Sequence, residues 1–241
     1  PELYMDVHDR WMNAMYRGDF AEAWRQTDRV ESLRRYLERN GEFVWHPNHL
    51  LWNGSPFDGR HVLIRCNHGL GDTLQFLRFV PAVSLVAQSV TLMAQPPLVR
   101  LLRDHPGFGM VLDGWNEVPP KADFLEVEIM ELAYALRVTA ESVSRLCPYL
   151  SHDHVHSLAQ PLPIGVNGGF QRVGLLWAAS DWDPNRSVSL KALAPLFDTP
   201  GVEFYSLQQG AAAADIASAG FPLIPLNTHT TDLVDAAASS C

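Results

Sequence analysis

From Leu3 to about Arg39 apolar residues recur at steps of three and four: Val7, Trp11, Ala14 and Met15, then Phe20, Ala23 and Trp24, then Val30, Leu33 and Leu37. The spacing predicts two helices broken at Gly18. Residues 40–60 are rich in Gly, Pro and Asn and read as a linker or an irregular docking segment. The period then changes. His61–Cys66 is a short apolar run, Asn67–Gly71 is a glycine turn, and Leu74, Phe76, Leu77 and Val80 return at helical steps within Asp72–Val80. The order is strand, turn, helix. More strands are predicted over Ser89–Ala94, Gly109–Leu112 and Ala122–Val127, with a helix entered through prolines over Pro96–His105.

Residues 151–170 interrupt this alternation with Pro, Gly and polar positions and read as an interdomain linker. It then restarts with a strand over Arg172–Ala178, a helix over Ser189–Phe197, a strand over Val202–Leu207, a helix over Ala211–Ala219, a strand over Pro222–Ile224 and a helix from Thr231. Strands alternating with helices imply mainly parallel sheets wrapped by helices, so the expected fold class is α/β with two similar units side by side. The expected boundaries are a helical segment over 1–40, a first domain over 41–160 and a shorter second domain over 161–241.

The chain has 241 residues, 47% of them hydrophobic and 19% charged, which excludes wholesale disorder and fibrous repeats. Lys+Arg number 18 against Asp+Glu 27, a net charge of -9 that argues against a general nucleic-acid binder. No apolar run is long enough to span a bilayer and the N-terminal residues lack signal-peptide order, so no transmembrane segment and a cytoplasmic location are expected. Cys66, Cys147 and Cys241 are odd in number and far apart, which predicts buried thiols rather than disulfides or a zinc site.

The chemistry concentrates in His68-Gly69-Leu70-Gly71-Asp72-Thr73-Leu74-Gln75. A glycine turn between strand and helix lets backbone N–H groups meet a polar ligand. The dinucleotide fingerprint fails, because Leu74 stands where its third glycine would be, and Asp72 would repel a pyrophosphate. A carboxylate there suits accepting a proton from a substrate hydroxyl. Asp72-Thr-Leu-Gln75 also fits a helix cap, the reading that spacing alone favours, and the two roles coexist in a rigidly held carboxylate.

Arg65-Cys-Asn-His-Gly-Leu-Gly-Asp-Thr-Leu-Gln-Phe-Leu-Arg-Phe-Val-Pro81 resembles the glycine-Asp turn of heptosyltransferase-like glycosyltransferases, especially the bacterial forms joined to tetratricopeptide repeats. Similar pieces follow in order: Gln95–Arg103, Arg172–Ser180, Arg186–Leu190, Phe204–Gly210 and Thr231-Asp-Leu. The fragment Ala14–Ala23 likewise resembles a tetratricopeptide helix pair, either a last repeat or a simple packing hairpin. The resemblance implies a GT-B architecture of two Rossmann-like parallel-sheet domains, acceptor on the first and nucleotide-sugar on the second, with inversion at the anomeric carbon. Carried over, the catalytic base falls on Asp72, with His68, Gly69, Gly71 and Gln75 as acceptor-site candidates. The donor diphosphate falls to Ser180, Arg186 and Ser187, and Gln208 joins them from the carboxyl edge of its strand. The nucleotide-sugar is substrate, and neither a cofactor nor a metal is expected. The acceptor is a sugar or a protein, and the N-terminal helices offer a surface to a protein partner.

Asp181-Trp-Asp183 and the alternating His152, His154 and His156 are the weaker metal-like patterns, read as a turn and as solvated histidines. The family's second domain continues past the point where this sequence stops, so the donor domain is expected to be incomplete here. The rival expectation is a non-catalytic binding or scaffold protein derived from such a transferase.

Overall fold

The computed structural model describes residues 2–41, 51–144, 149–159, 169–179, 183–226 and 232–239. The chain forms two compact units, Pro1–Ser151 and His152–Cys241.

The first unit opens with α1 (Glu2–Tyr16) and α2 (Phe20–Arg39), an antiparallel hairpin. Gly18 sits at a φ of 69°, where a side chain would strain the turn, and Asp19 caps α2 by accepting the Glu22 N–H at 3.0 Å. The described part of the following irregular segment is docked: Trp52 and Phe57 are buried, with ring centroids 6.0 Å apart.

A parallel sheet follows, built from β1 (His61–Arg65), β2 (Ser89–Ala94), β3 (Met110–Asp113) and β4 (Phe124–Glu128) in the order β3-β2-β1-β4. Val62, Leu63 and Ile64 are all buried, as a central parallel strand covered on both faces requires. Between strands lie α3 (Leu70–Phe76), a 3-10 turn over Leu77–Phe79, α4 (Val80–Ser84) and α5 (Pro96–Leu102). The helix expected over Asp72–Val80 is therefore broken into short pieces. Pro81, in the first turn of α4, has no N–H with which to continue the ladder from α3. After β4 come a 3-10 turn over Ile129–Glu131, α6 (Leu132–Ala135) and α7 (Ala140–Ser144).

The hairpin is clasped to this unit. Trp24 is buried and its Nε1 donates to the Val138 carbonyl at 2.7 Å. Asp28 accepts the Tyr134 hydroxyl at 2.6 Å and the Arg137 guanidinium at 2.7 and 3.0 Å. Burial opposes the charge on Asp28, but these donors outweigh it and hold its carboxyl below the usual range. Burial together with Asp28 pushes the Tyr134 hydroxyl up to about 12.

The second unit holds α8 (His152–Leu158), β5 (Gln171–Leu175), β6 (Val202–Ser206), α9 (Asp215–Ala219), β7 (Leu223–Pro225) and α10 (Leu233–Ser239). Its strands form a parallel sheet in the order β5-β6-β7. The core is Trp177, Leu190, Phe204 and Leu223. The helix expected over Ser189–Phe197 is a 3-10 helix, Leu190–Asp198, because Pro195 inside it cannot donate an α-helical hydrogen bond. Part of the stretch expected as linker is α8, which packs on α10 with Val155 and Val234 buried. Among the described residues no helix is long and apolar enough to cross a membrane.

Candidate functional site

Chain order puts β2 and β3 on one side of β1 and β4 on the other, so the carboxyl ends of β1 and β4 flank the switch point of the first sheet. Open parallel sheets bind ligands there, because the two connections leave the edge in opposite directions and open a crevice. Arg65 and Glu128, the last residues of β1 and β4, share one rung. The loop after β1 is Cys66–Gly69, and it brings His68, Gly69 and Asp72 onto this edge.

Gly69 donates its N–H to Asp72 Oδ2 at 3.1 Å. A Cβ at Gly69 would come within 3.0 Å of that oxygen, so a side chain there would push the carboxylate aside by a few tenths of an ångström. No comparable crowding surrounds Gly71. Gln75 lies one turn beyond Asp72 on the exposed side of α3, and its carbonyl accepts Arg78 Nε at 2.8 Å.

Beneath the loop runs a buried polar network that the sequence did not single out. Thr73 and Gln95 exchange hydrogen bonds at 2.9 and 3.1 Å, and Gln95 Nε2 also donates to the His68 carbonyl at 2.8 Å. Burial, against a hydrogen bond with Thr73, pushes the Cys66 thiol up to about 12. Glu128 is only 1% exposed; it accepts the Asn67 N–H at 3.3 Å and the Met130 N–H at 2.7 Å. Its Oε2 stands 3.9 Å from His68 Nε2, a buried atom with no hydrogen-bond partner among the described residues. Burial pushes the Glu128 carboxyl above the ordinary range, and nearby Glu131 adds to the push. Glu131, raised likewise by burial, accepts the N–H groups of Glu128 at 2.8 Å, Leu51 at 2.9 Å and Trp52 at 3.1 Å. The signal for Glu128 was its place at the end of a strand beside β1. The expected strand stopped at Val127, one residue short.

On the second unit the expected donor residues divide. Gln208 is buried: its Oε1 accepts the N–H groups of Trp177 and Ala178 at 3.0 and 2.9 Å, and its Nε2 donates to the carbonyls of Ala178 and Gln209 at 3.1 and 2.9 Å. Every hydrogen-bonding position of that carboxamide is occupied, so its side chain holds the segment after β5 and has nothing left for a diphosphate. Ser187 Oγ accepts the Ala179 N–H at 2.9 Å and Arg186 is exposed in the 3-10 turn Pro184–Arg186. Ser180 lies outside the described residues, as do Asp181, Cys147 and Cys241.

His152 and His156 come together one turn apart on α8, ring centroids at 4.2 Å, and the helical path turns His154 away from them. Among the described residues no group of three or more His, Cys, Asp or Glu side chains is placed to hold a metal ion.

No protein-family profile, curated protein or solved structure matches the chain. The functional reading therefore stands on the edge itself: a carboxylate with one oxygen fixed by a backbone N–H, and on the loop before it an imidazole 3.9 Å from a buried glutamate. Both groups accept protons, and both stand where a parallel sheet receives ligands.

Proposed function

We propose that this chain carries glycosyl-transfer machinery of GT-B type, moving a sugar from a nucleotide-sugar to an acceptor hydroxyl. The observation that supports the reading is the fixed carboxylate of Asp72 at the switch-point edge of the first sheet. One oxygen is engaged by Gly69; the other, with no hydrogen bond among the described residues, takes the proton of the attacking hydroxyl as its oxygen bonds to the anomeric carbon. The nucleoside diphosphate leaves with the electron pair of the broken bond. The donor phosphates fall to Arg186 and Ser187, with Ser180 in the same segment.

The test is direct. The 241-residue chain is challenged with ADP-, UDP-, GDP- and CMP-sugars and unfolded by heat. A ligand at about 100 times its dissociation constant stabilises by about 2.7 kcal/mol, a shift of roughly 5 to 10 °C for a chain of this size. With the donor so found, Asp72→Asn should keep the shift and lose turnover by about a hundredfold or more. Undiminished turnover in that variant removes Asp72 as the base.

The rival reading, a binding or scaffold protein derived from a transferase, draws on one observation: the carboxamide of Gln208 is wholly engaged within its own unit. It predicts no thermal shift with any nucleotide-sugar.

A further inference from the structure

The edge that carries Asp72 also presents one large aromatic side chain to solvent on a tightly fastened backbone. Trp115 lies two residues past β3 and is 75% exposed. Asp113, the last residue of β3, takes the N–H groups of Trp115 and Asn116 on one carboxylate oxygen at 2.9 and 3.1 Å, and the Asn116 carboxamide on the other at 2.9 Å. The Asp113 N–H goes to Glu117 at 2.6 Å, and Glu117 also receives Arg103 Nη2 at 2.5 Å. Gly114 donates to the Ala94 carbonyl at 2.8 Å, and a Cβ there would come within 3.2 Å of the carbonyl oxygens of Met93 and Ala94. Loop tips are ordinarily mobile and polar. This one is fixed by two carboxylates, a guanidinium and a neighbouring strand, and what it holds out is an indole.

Register places the end of β3, from which Trp115 follows, level with the site. Arg65 pairs with Met93 and Met93 with Leu112, so the three share one rung. His68 and Trp115 each lie three residues beyond it. Two strand spacings, about 10 Å, separate the ends of β1 and β3 from which these two residues follow, a span that a short run of sugar rings crosses. A pyranose offers one face of C–H groups edged by hydroxyls; the face packs on an indole and the hydroxyls stay hydrated or meet carboxylates. A nucleotide base stacks on indole as well, but its phosphates would approach Asp113 and Glu117, two carboxylates with a single guanidinium, that of Arg103, on Glu117. The chemistry of the tip therefore favours an uncharged ring.

We propose that Trp115 is the outer platform of the acceptor site and that the acceptor is an oligosaccharide. Its reacting ring sits at Asp72 and His68, and a ring further along the same chain stacks on Trp115. The inference rests on the transferase reading.

The probes are an array of neutral hexose mono-, di- and trisaccharides, with affinities then measured by titration for the wild type, Trp115→Ala, Trp115→Phe and Asp72→Asn. The wild type should bind a di- or trisaccharide more tightly than the matching methyl monosaccharide. Trp115→Ala should lose about tenfold of that affinity and Trp115→Phe less, with the melting temperature and the donor-induced shift unchanged. Asp72→Asn, altered at the reacting ring, should still bind the trisaccharide more tightly than the methyl monosaccharide, because the ring on Trp115 is untouched. Equal glycan affinity in Trp115→Ala, or no glycan bound by the wild type, overturns the platform. If a nucleotide-sugar is turned over with the same acceptor KM in Trp115→Ala, the transferase reading survives and the platform does not. If Trp115-dependent glycan binding is found and no nucleotide-sugar binds, the transferase reading fails instead.

Discussion

A carboxyl with as little solvent contact as Glu128 is ionised only at a cost, since the two N–H groups it accepts replace only part of the lost hydration. Burial raises its pKa above the ordinary 4.5, so the folded chain holds a proton that the unfolded chain has released. That contribution favours the fold at pH values below about 4.5 and is lost as the pH rises through the raised value. Asp28 and Asp113, both held below the usual range, slope the other way, so the comparison must be made between variants. Glu128→Gln should gain on the wild type as the pH is taken from 4 to 7, by about 1.4 kcal/mol for each tenfold difference in proton affinity. Melting temperatures of the two proteins across that range decide it; parallel curves would mean that Glu128 titrates as it does in the unfolded chain.

At the scale of elements, single side chains hold irregular segments where no ladder can. Glu131 gathers N–H groups from β4 and from the segment through Leu51 and Trp52, while Arg34 on α2, paired with buried Glu31, donates to the Trp52 carbonyl at 3.2 Å. Glu131→Ala leaves those donors buried and unpaired, and urea unfolding should show a loss of about 3 kcal/mol. Gln208→Ala should act locally in the second unit: amide exchange at Trp177 and Ala178 should quicken by about tenfold or more, with β6 little changed. The strands were legible in the sequence because short apolar runs such as Val62–Ile64 have few other solutions, and the β1 turn was legible because Gly69 and Asp72 are neighbours along the chain. Glu128, Glu131, Gln95 and the Trp115 loop were not. Each acts on residues distant in sequence, or on neighbours that only the sheet places at the ligand edge, and neither local period nor motif spacing encodes that. The break at Pro195 was written in the sequence, but the apolar period running through it suggested a longer helix; Pro81 stands one residue past the helix expected over Asp72–Val80, and its effect reaches back into that stretch.

Taken whole, the chain divides its apolar packing unequally. The first unit wraps a sheet whose central strand is buried on both faces, while the second rests on a small cluster of Trp177, Leu190, Phe204 and Leu223. Stability follows buried apolar area, so native-state hydrogen exchange should show β5 and β6 opening at lower free energy than β1 and β2. Equal protection in the two sheets would contradict it. Cys66 lends this ordering a chemical clock. Its thiol is buried, hydrogen-bonded with Thr73 of α3 and held protonated at any ordinary pH, so a thiol reagent can modify it only when the structure around it opens. In a chain carrying Cys147→Ser and Cys241→Ser, the pace of labelling would count how often the ligand edge breathes, and any molecule that truly seats there would slow the count, whatever its identity.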